Sequence, residues 1–146
     1  MRIWHYRLLP YLPEAQFKGQ LRELVAIMRD WRDKGETNHL LINQVMEYPK
    51  SELAIYFLYY ADEYERRYKK SINIKYHNEF CKFAKDAPLL INTPLFVGWH
   101  DKLYLRICMA NLYEKFLAIG RNKITLIEWS RLKTGYENIT GEVYEI

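Results

Sequence analysis

The chain has only two cysteines, Cys81 and Cys108, far apart in sequence. Two such cysteines make no disulfide framework and no zinc-type spacing, so both read as reduced thiols, with Cys108 in the core. Glycine and proline are also scarce, at 6 and 5 residues of 146, which favours helices over a turn-rich β fold. No apolar run approaches the ~18 residues of a membrane span, and the N-terminus lacks the apolar stretch of a secretory signal. The expectation is a cytoplasmic protein with no membrane partner. The four histidines, His5, His39, His77 and His100, are scattered and form no H-x-x-x-H pair. There is no Walker loop, no G-x-G-x-x-G and no G-x-S-x-G. These absences predict no metal site and no cofactor, and they leave serine and cysteine nucleophiles without a local signature.

Aromatic residues are plentiful, with 13 Tyr, 6 Phe and 4 Trp, and 49% of the chain is hydrophobic. That is too apolar for disorder. A length of 146 residues predicts one domain, 1–146, with a substantial core. The net charge of +4 is compatible with a polyanionic partner but does not demand one.

Periodicity predicts an all-α fold of about three long helices plus short helices and loops. Residues 1–12 contain Pro10, with Pro13 following, and read as an extended arm packed through Ile3, Trp4, Leu8 and Leu9. A helix is expected over 14–31, a polar turn over 32–37 and a short helix over 38–48. A second long helix follows Ser51, a suitable N-cap, and reaches about Lys70. Its last turns hold Arg66, Arg67, Lys69 and Lys70, which complement the helix dipole or make a second basic patch. Residues 71–86 hold a short helical piece and 87–99 a loop partly buried by Leu89 and Leu90. A third long helix runs from an Asp101 cap to Ile119, with Leu105, Cys108, Leu112, Phe116 and Ile119 inward. Residues 125–132 form a short last helix, and 134–146 a polar tail.

The helix over 14–31 is the most informative stretch. Phe17, Leu21, Leu24, Met28 and Trp31 recur at spacings of 4, 3, 4 and 3, which makes one apolar stripe. At ~100° per residue, Ala15, Gly19 and Ala26 project away from it. Lys18, Arg22 and Arg29 flank that low strip on one side, Glu23 and Asp30 on the other. Gly19 precedes Glu23 by one turn, so nothing bulky covers the carboxylate. The arrangement suits a phosphate backbone, although any helix needs a solvated, charged face. Gly19 argues for more than solvation, because glycine inside a helix costs ~1 kcal/mol relative to alanine.

The opening WHYRLLPYLP, with Gln16, Gly19, Gln20, Arg22 and Glu23, resembles the pyrimidine-dimer DNA glycosylase family, above all its cellular branch. Without a gap, Arg22, Glu23 and Leu24 fall on the Arg-Glu-Leu of the family's phage member. A second stretch, HDKLYLRICMANLYEKF at 100–116, is similar to the family's last long helix. The resemblance implies excision of cyclobutane pyrimidine dimers from double-stranded damaged DNA, and a monomer is the expected state. It also implies a terminal amine as nucleophile and Glu23 as the catalytic carboxylate. The phage enzyme uses the amine of a small second residue after losing its methionine. Arg2 stands there in this chain, so Met1 and Arg2 are both candidates for the amine. Arg22 would hold a lesion phosphate, with Lys18, Arg29 and Gly19 on the same DNA-binding face.

The chemistry is coherent. An α-amine titrates at about 7.7–8.0 against about 10.4 for lysine, so a sizeable fraction is neutral near pH 7. Such an amine can form a Schiff base with C1′ of a deoxyribose, and a nearby carboxylate can move the protons that strand cleavage requires. Two other readings stay open: the same chemistry on abasic or oxidised-base lesions, and a helical nucleic-acid-binding module without catalysis.

Overall fold

A computed structural model describes residues 1–85, 94–120 and 123–146. Among them are five α-helices: α1 (Glu14–Lys34), α2 (Lys50–Tyr68), α3 (Ile74–Phe83), α4 (Lys102–Leu117) and α5 (Leu126–Thr140). Two 3₁₀ segments span Tyr6–Tyr11 and Ile42–Glu47. No strand occurs among the described residues, and the all-α expectation holds. No helix among the described residues is long and apolar enough to cross a membrane.

Several boundaries differ from expectation for physical reasons. Residues 6–11 are 3₁₀ rather than extended, because the His5 side chain caps the segment by accepting from the Arg7 N–H. Only residues 42–47 of the helix expected over 38–48 are helical, as a 3₁₀ segment. Ser51 is not the cap of α2. Pro49 is, and Ser51 is buried one residue inside the helix. Ile119 lies beyond α4 and is almost wholly exposed, so it is no core residue. The largest correction is α5, which makes a fourth long helix where a polar tail was expected from residue 134. Thr125 and Glu128 form a capping box that starts it, and Gly141 in the left-handed region stops it. Gly135 within it faces the Tyr11 ring, where an added Cβ would lie 2.4 Å from Cγ, so a residue that reads as a helix breaker is a packing requirement. The loop expected over 87–99 lies partly outside the described residues, Leu89 and Leu90 included.

The chain groups into two compact units. One comprises Met1–Ile3 and Gln20–Val97. Its core includes Leu24, Ile27, Met28, Leu53, Phe57 and Phe80, with the Phe57 and Phe80 rings stacked 4.2 Å apart. Phe96, fully buried, takes a φ of 53° and donates its N–H to Glu52 Oε1 at 2.8 Å. Arg66 and Arg67 both donate to the buried Glu63 carboxylate, so these two cations neutralise a core acid in addition to complementing the end of α2.

The other unit comprises Trp4–Gly19 and Gly98–Ile146. Asp101 caps α4 as expected, accepting from the Tyr104 N–H. Arg106 donates to Tyr136 Oη and to the Glu145 carbonyl, which ties the last residues to α4. Glu128 also accepts the Glu14 N–H at 3.1 Å, satisfying one of the orphan donors at the start of α1.

Two buried histidines mark this unit. The Tyr6 N–H donates to His100 Nδ1 at 3.1 Å, and the Arg7 N–H to His5 Nδ1 at 3.2 Å. A nitrogen that accepts carries no proton, so both rings are neutral. Burial pushes His5 down from 6.5 to about 4 and lowers His100 as well. Between these values the unfolded chain binds protons that the folded chain refuses. The stability from neutral His5 is therefore complete above about pH 6.5 and lost as pH falls toward 4, to a total of about 3 kcal/mol. Thermal melts followed by circular dichroism should show Tm falling across that window. His5→Asn, which keeps an acceptor but cannot titrate, should flatten the fall.

Candidate active site at the N-terminal arm

The first three residues of the chain have no helix of their own, and such termini fray unless tied down. Here a side chain from α1 ties them. Gln20 is fully buried. Its Nε2 donates to the Arg2 carbonyl at 2.8 Å and lies 3.4 Å from Glu23 Oε2. Its Oε1 accepts from the Tyr56 hydroxyl of α2 at 3.0 Å. The Arg2 N–H donates to Glu23 Oε2 at 3.2 Å. Both backbone groups of Arg2 are thus held by side chains from a single turn of α1.

The amide orientation follows from its neighbours. The Arg2 carbonyl and the Glu23 carboxylate are both acceptors, so only the NH₂ end of Gln20 can face them. The oxygen end must then turn to Tyr56, which donates. The two Glu23 oxygens differ as a result. Oε2 is anchored by Arg2 and Gln20, while Oε1 accepts no hydrogen bond among the described residues. Glu23 is half-buried and Met1 is 47% exposed. Met1 is therefore reachable from solvent, one residue from a peptide nitrogen already in hydrogen-bond reach of a carboxylate.

The basic residues fare differently from one another. Arg22 is exposed and makes no ion pair among the described residues. Arg29 is clamped: its Nε and Nη2 donate to the two oxygens of Glu79 at 3.0 and 2.7 Å. Arg32 also approaches Glu79, and the hydrogen bonds from Arg29 hold the Glu79 carboxyl below its usual range. Lys18 pairs with Glu14 at 3.0 Å, with both side chains exposed. Lys18 and half-buried Gly19 belong to the stretch of α1 grouped with the second unit.

Gln20 and Tyr56 are the site residues that the periodicity argument did not single out. The apolar face of α1 buries Phe17, Gln20, Leu24, Ile27 and Met28, whereas Leu21 is only half-buried. Gln20 sits three residues after Phe17 and four before Leu24, inside the stripe. A polar side chain at a core position is the signal that marks such a residue.

Among the described residues, no three His, Cys, Asp or Glu side chains converge as a metal site would require. A cavity of about 310 Å³ lies in the second unit, lined by His5, Tyr6, Arg7, His100, Lys102 and neighbours. Its two imidazoles are the neutral pair described above, and Lys102 is paired with Glu142.

The profile of the family described as pyrimidine dimer DNA glycosylase matches residues 1–82. The match stops short of 100–116, the second stretch of resemblance. Searches of curated proteins and of solved structures found no match. The matched segment is more than half of the chain, and it holds the arm, Gln20, Arg22, Glu23 and Tyr56. On that match the chain belongs to the pyrimidine dimer DNA glycosylase family, a family of DNA-repair enzymes.

Proposed function

We propose that this protein excises cyclobutane pyrimidine dimers as a metal-independent DNA glycosylase with AP-lyase activity, through a Schiff base on its terminal amine. The observation that carries the reading is the hydrogen bond from the Arg2 N–H to Glu23 Oε2 at 3.2 Å. It brings the start of the chain to a carboxylate whose other oxygen is uncommitted among the described residues.

The neutral amine attacks C1′ of the 5′ nucleotide of the dimer. The C1′–N bond to the base breaks, its electron pair leaves with the base, and the base takes up a proton from solvent. The ammonium formed by the attack gives one proton to O4′ as the C1′–O4′ bond opens, and the nitrogen is left doubly bonded to C1′ as a protonated imine. Glu23 removes a proton from C2′, the C2′–H electrons form a C2′–C3′ double bond, and the C3′–O bond breaks to release a phosphate end. Water hydrolyses the imine and returns the amine. If Met1 is retained, its amine acts one residue beyond the anchored Arg2 nitrogen. If Met1 is removed, the Arg2 nitrogen becomes the amine, already 3.2 Å from Glu23.

Arg22 is the first candidate for a lesion phosphate. Lys18 and Arg29 are both engaged by carboxylates, but only the Lys18–Glu14 pair is exposed on both sides. An exposed pair contributes roughly 0–1 kcal/mol, so a DNA phosphate can compete for Lys18, whereas Arg29 would have to leave two hydrogen bonds to Glu79. The partner in this reading is damaged duplex DNA, bound by one copy of the chain.

Glu23→Gln keeps an acceptor for the Arg2 N–H but cannot relay protons. Cleavage of dimer-containing duplex should fall at least ~10²-fold with binding retained. Full cleavage by this variant would remove Glu23 from the chemistry, and binding without cleavage by the wild type would leave the non-catalytic module as the better account. Affinity for damaged duplex should also weaken with salt, and Arg22→Ala should reduce the slope of log K against log salt by ~0.9, the share of one phosphate contact. An unchanged slope would take Arg22 out of the interface.

A further inference from the structure

We infer that Gln20, held by Tyr56, is a positioning residue that sets the terminal amine and the Glu23 carboxylate in register. The inference rests on the terminal-amine reading above and adds to it a part played by two residues that touch no DNA in that reaction.

One primary amide reaches both halves of the proposed catalytic pair. Its Nε2 donates to the Arg2 carbonyl at 2.8 Å, which places the arm, and lies 3.4 Å from Glu23 Oε2, which places the carboxylate. Gln20 and Tyr56 are both fully buried, so water does not compete for these bonds. The amide cannot flip without setting its oxygen against two acceptors, and the Tyr56 hydroxyl at 3.0 Å holds the oxygen end in place. Because the pair fixes Oε2, it also determines which Glu23 oxygen remains for proton transfer.

Three substitutions separate positioning from general support of the fold. Gln20→Glu keeps the size but exchanges the donor for a second carboxylate beside Glu23. A second negative charge beside the terminus favours the protonated amine, which cannot attack, so the acid limb of the pH–rate profile should move up. Tyr56→Phe deletes one hydroxyl and almost no volume. Gln20→Leu removes the amide altogether.

The experiment measures single-turnover cleavage of abasic duplex from pH 5 to 9, with duplex affinity and circular dichroism melts in parallel. Gln20→Glu should lose ~10-fold or more at pH 7 and shift the acid limb. Tyr56→Phe should slow cleavage severalfold with affinity unchanged. Tyr56→Phe should cost nothing further on the Gln20→Leu background, because the two act as one unit. A merely structural role lowers Tm and the active fraction but leaves the acid limb where it was. Should Gln20→Glu fail to fold, Tyr56→Phe carries the test. A folded Gln20→Glu with wild-type rate and profile, or a Tyr56→Phe with wild-type rate, overturns the inference. A wild-type protein that neither cleaves nor forms a borohydride-trapped adduct overturns the lyase reading itself, and this role with it. That result is distinct, because it appears before any variant is made.

Discussion

The hydrogen bonds around the Gln20 amide hold residues 1–3 against α1. A three-residue arm has little of its own to hold it, and ordering its backbone costs on the order of 1–2 kcal/mol per residue. Against that stand the buried contact from Gln20 to the Arg2 carbonyl and the charge-assisted contact from the Arg2 N–H to Glu23. Bonds of these kinds contribute roughly 0.5–1.5 and 1.5–3 kcal/mol. The two sums are comparable, so the arm is held by these groups together with the burial of Ile3. The constraint is steep as well as stabilising: a buried amide deprived of its acceptors would cost more than the bond contributes.

The charges of α1 follow a similar economy. Glu23 is committed to the arm, Arg29 to Glu79, Lys18 to Glu14 and Asp30 to Lys34. Arg22 has no such engagement among the described residues. A solvated helix face does not require this division, since solvation asks only that charges reach water. The exposed Lys18–Glu14 pair is weak enough to exchange partners, whereas the contacts inside the arm are shielded. The carboxylate end of the proposed site is therefore set before DNA arrives, while the cations can respond to it.

Much of this was legible in the sequence because the signals are local. The 3.6-residue stripe gave α1, Asp101 gave the start of α4, and WHYRLLPYLP together with the Arg22–Glu23 pair gave the family that the profile match supports. What was missed depends on contacts distant in sequence. Gly135 and Gly141 read as features of a polar tail, yet only Gly141 ends α5. Gly135 is there because the Tyr11 ring occupies the space a side chain would need. Gln20 belonged to the resemblance, but its purpose shows only when Arg2, Glu23 and Tyr56 are placed around it. Arg29 looked like a DNA contact because Glu79, fifty residues away, gives no sequence sign of meeting it.

The central claim is that the first amine of the chain does the chemistry beside Glu23. It is tested most directly by borohydride reduction of the protein on ultraviolet-irradiated or abasic duplex, followed by peptide mapping of the adduct. The account predicts a covalent protein–DNA product attached to the α-nitrogen of Met1, or of Arg2 where Met1 is absent. A tag fused ahead of Met1 should abolish the product and leave duplex binding largely intact. An adduct mapped to a lysine, or one that persists in the tagged protein, would contradict it.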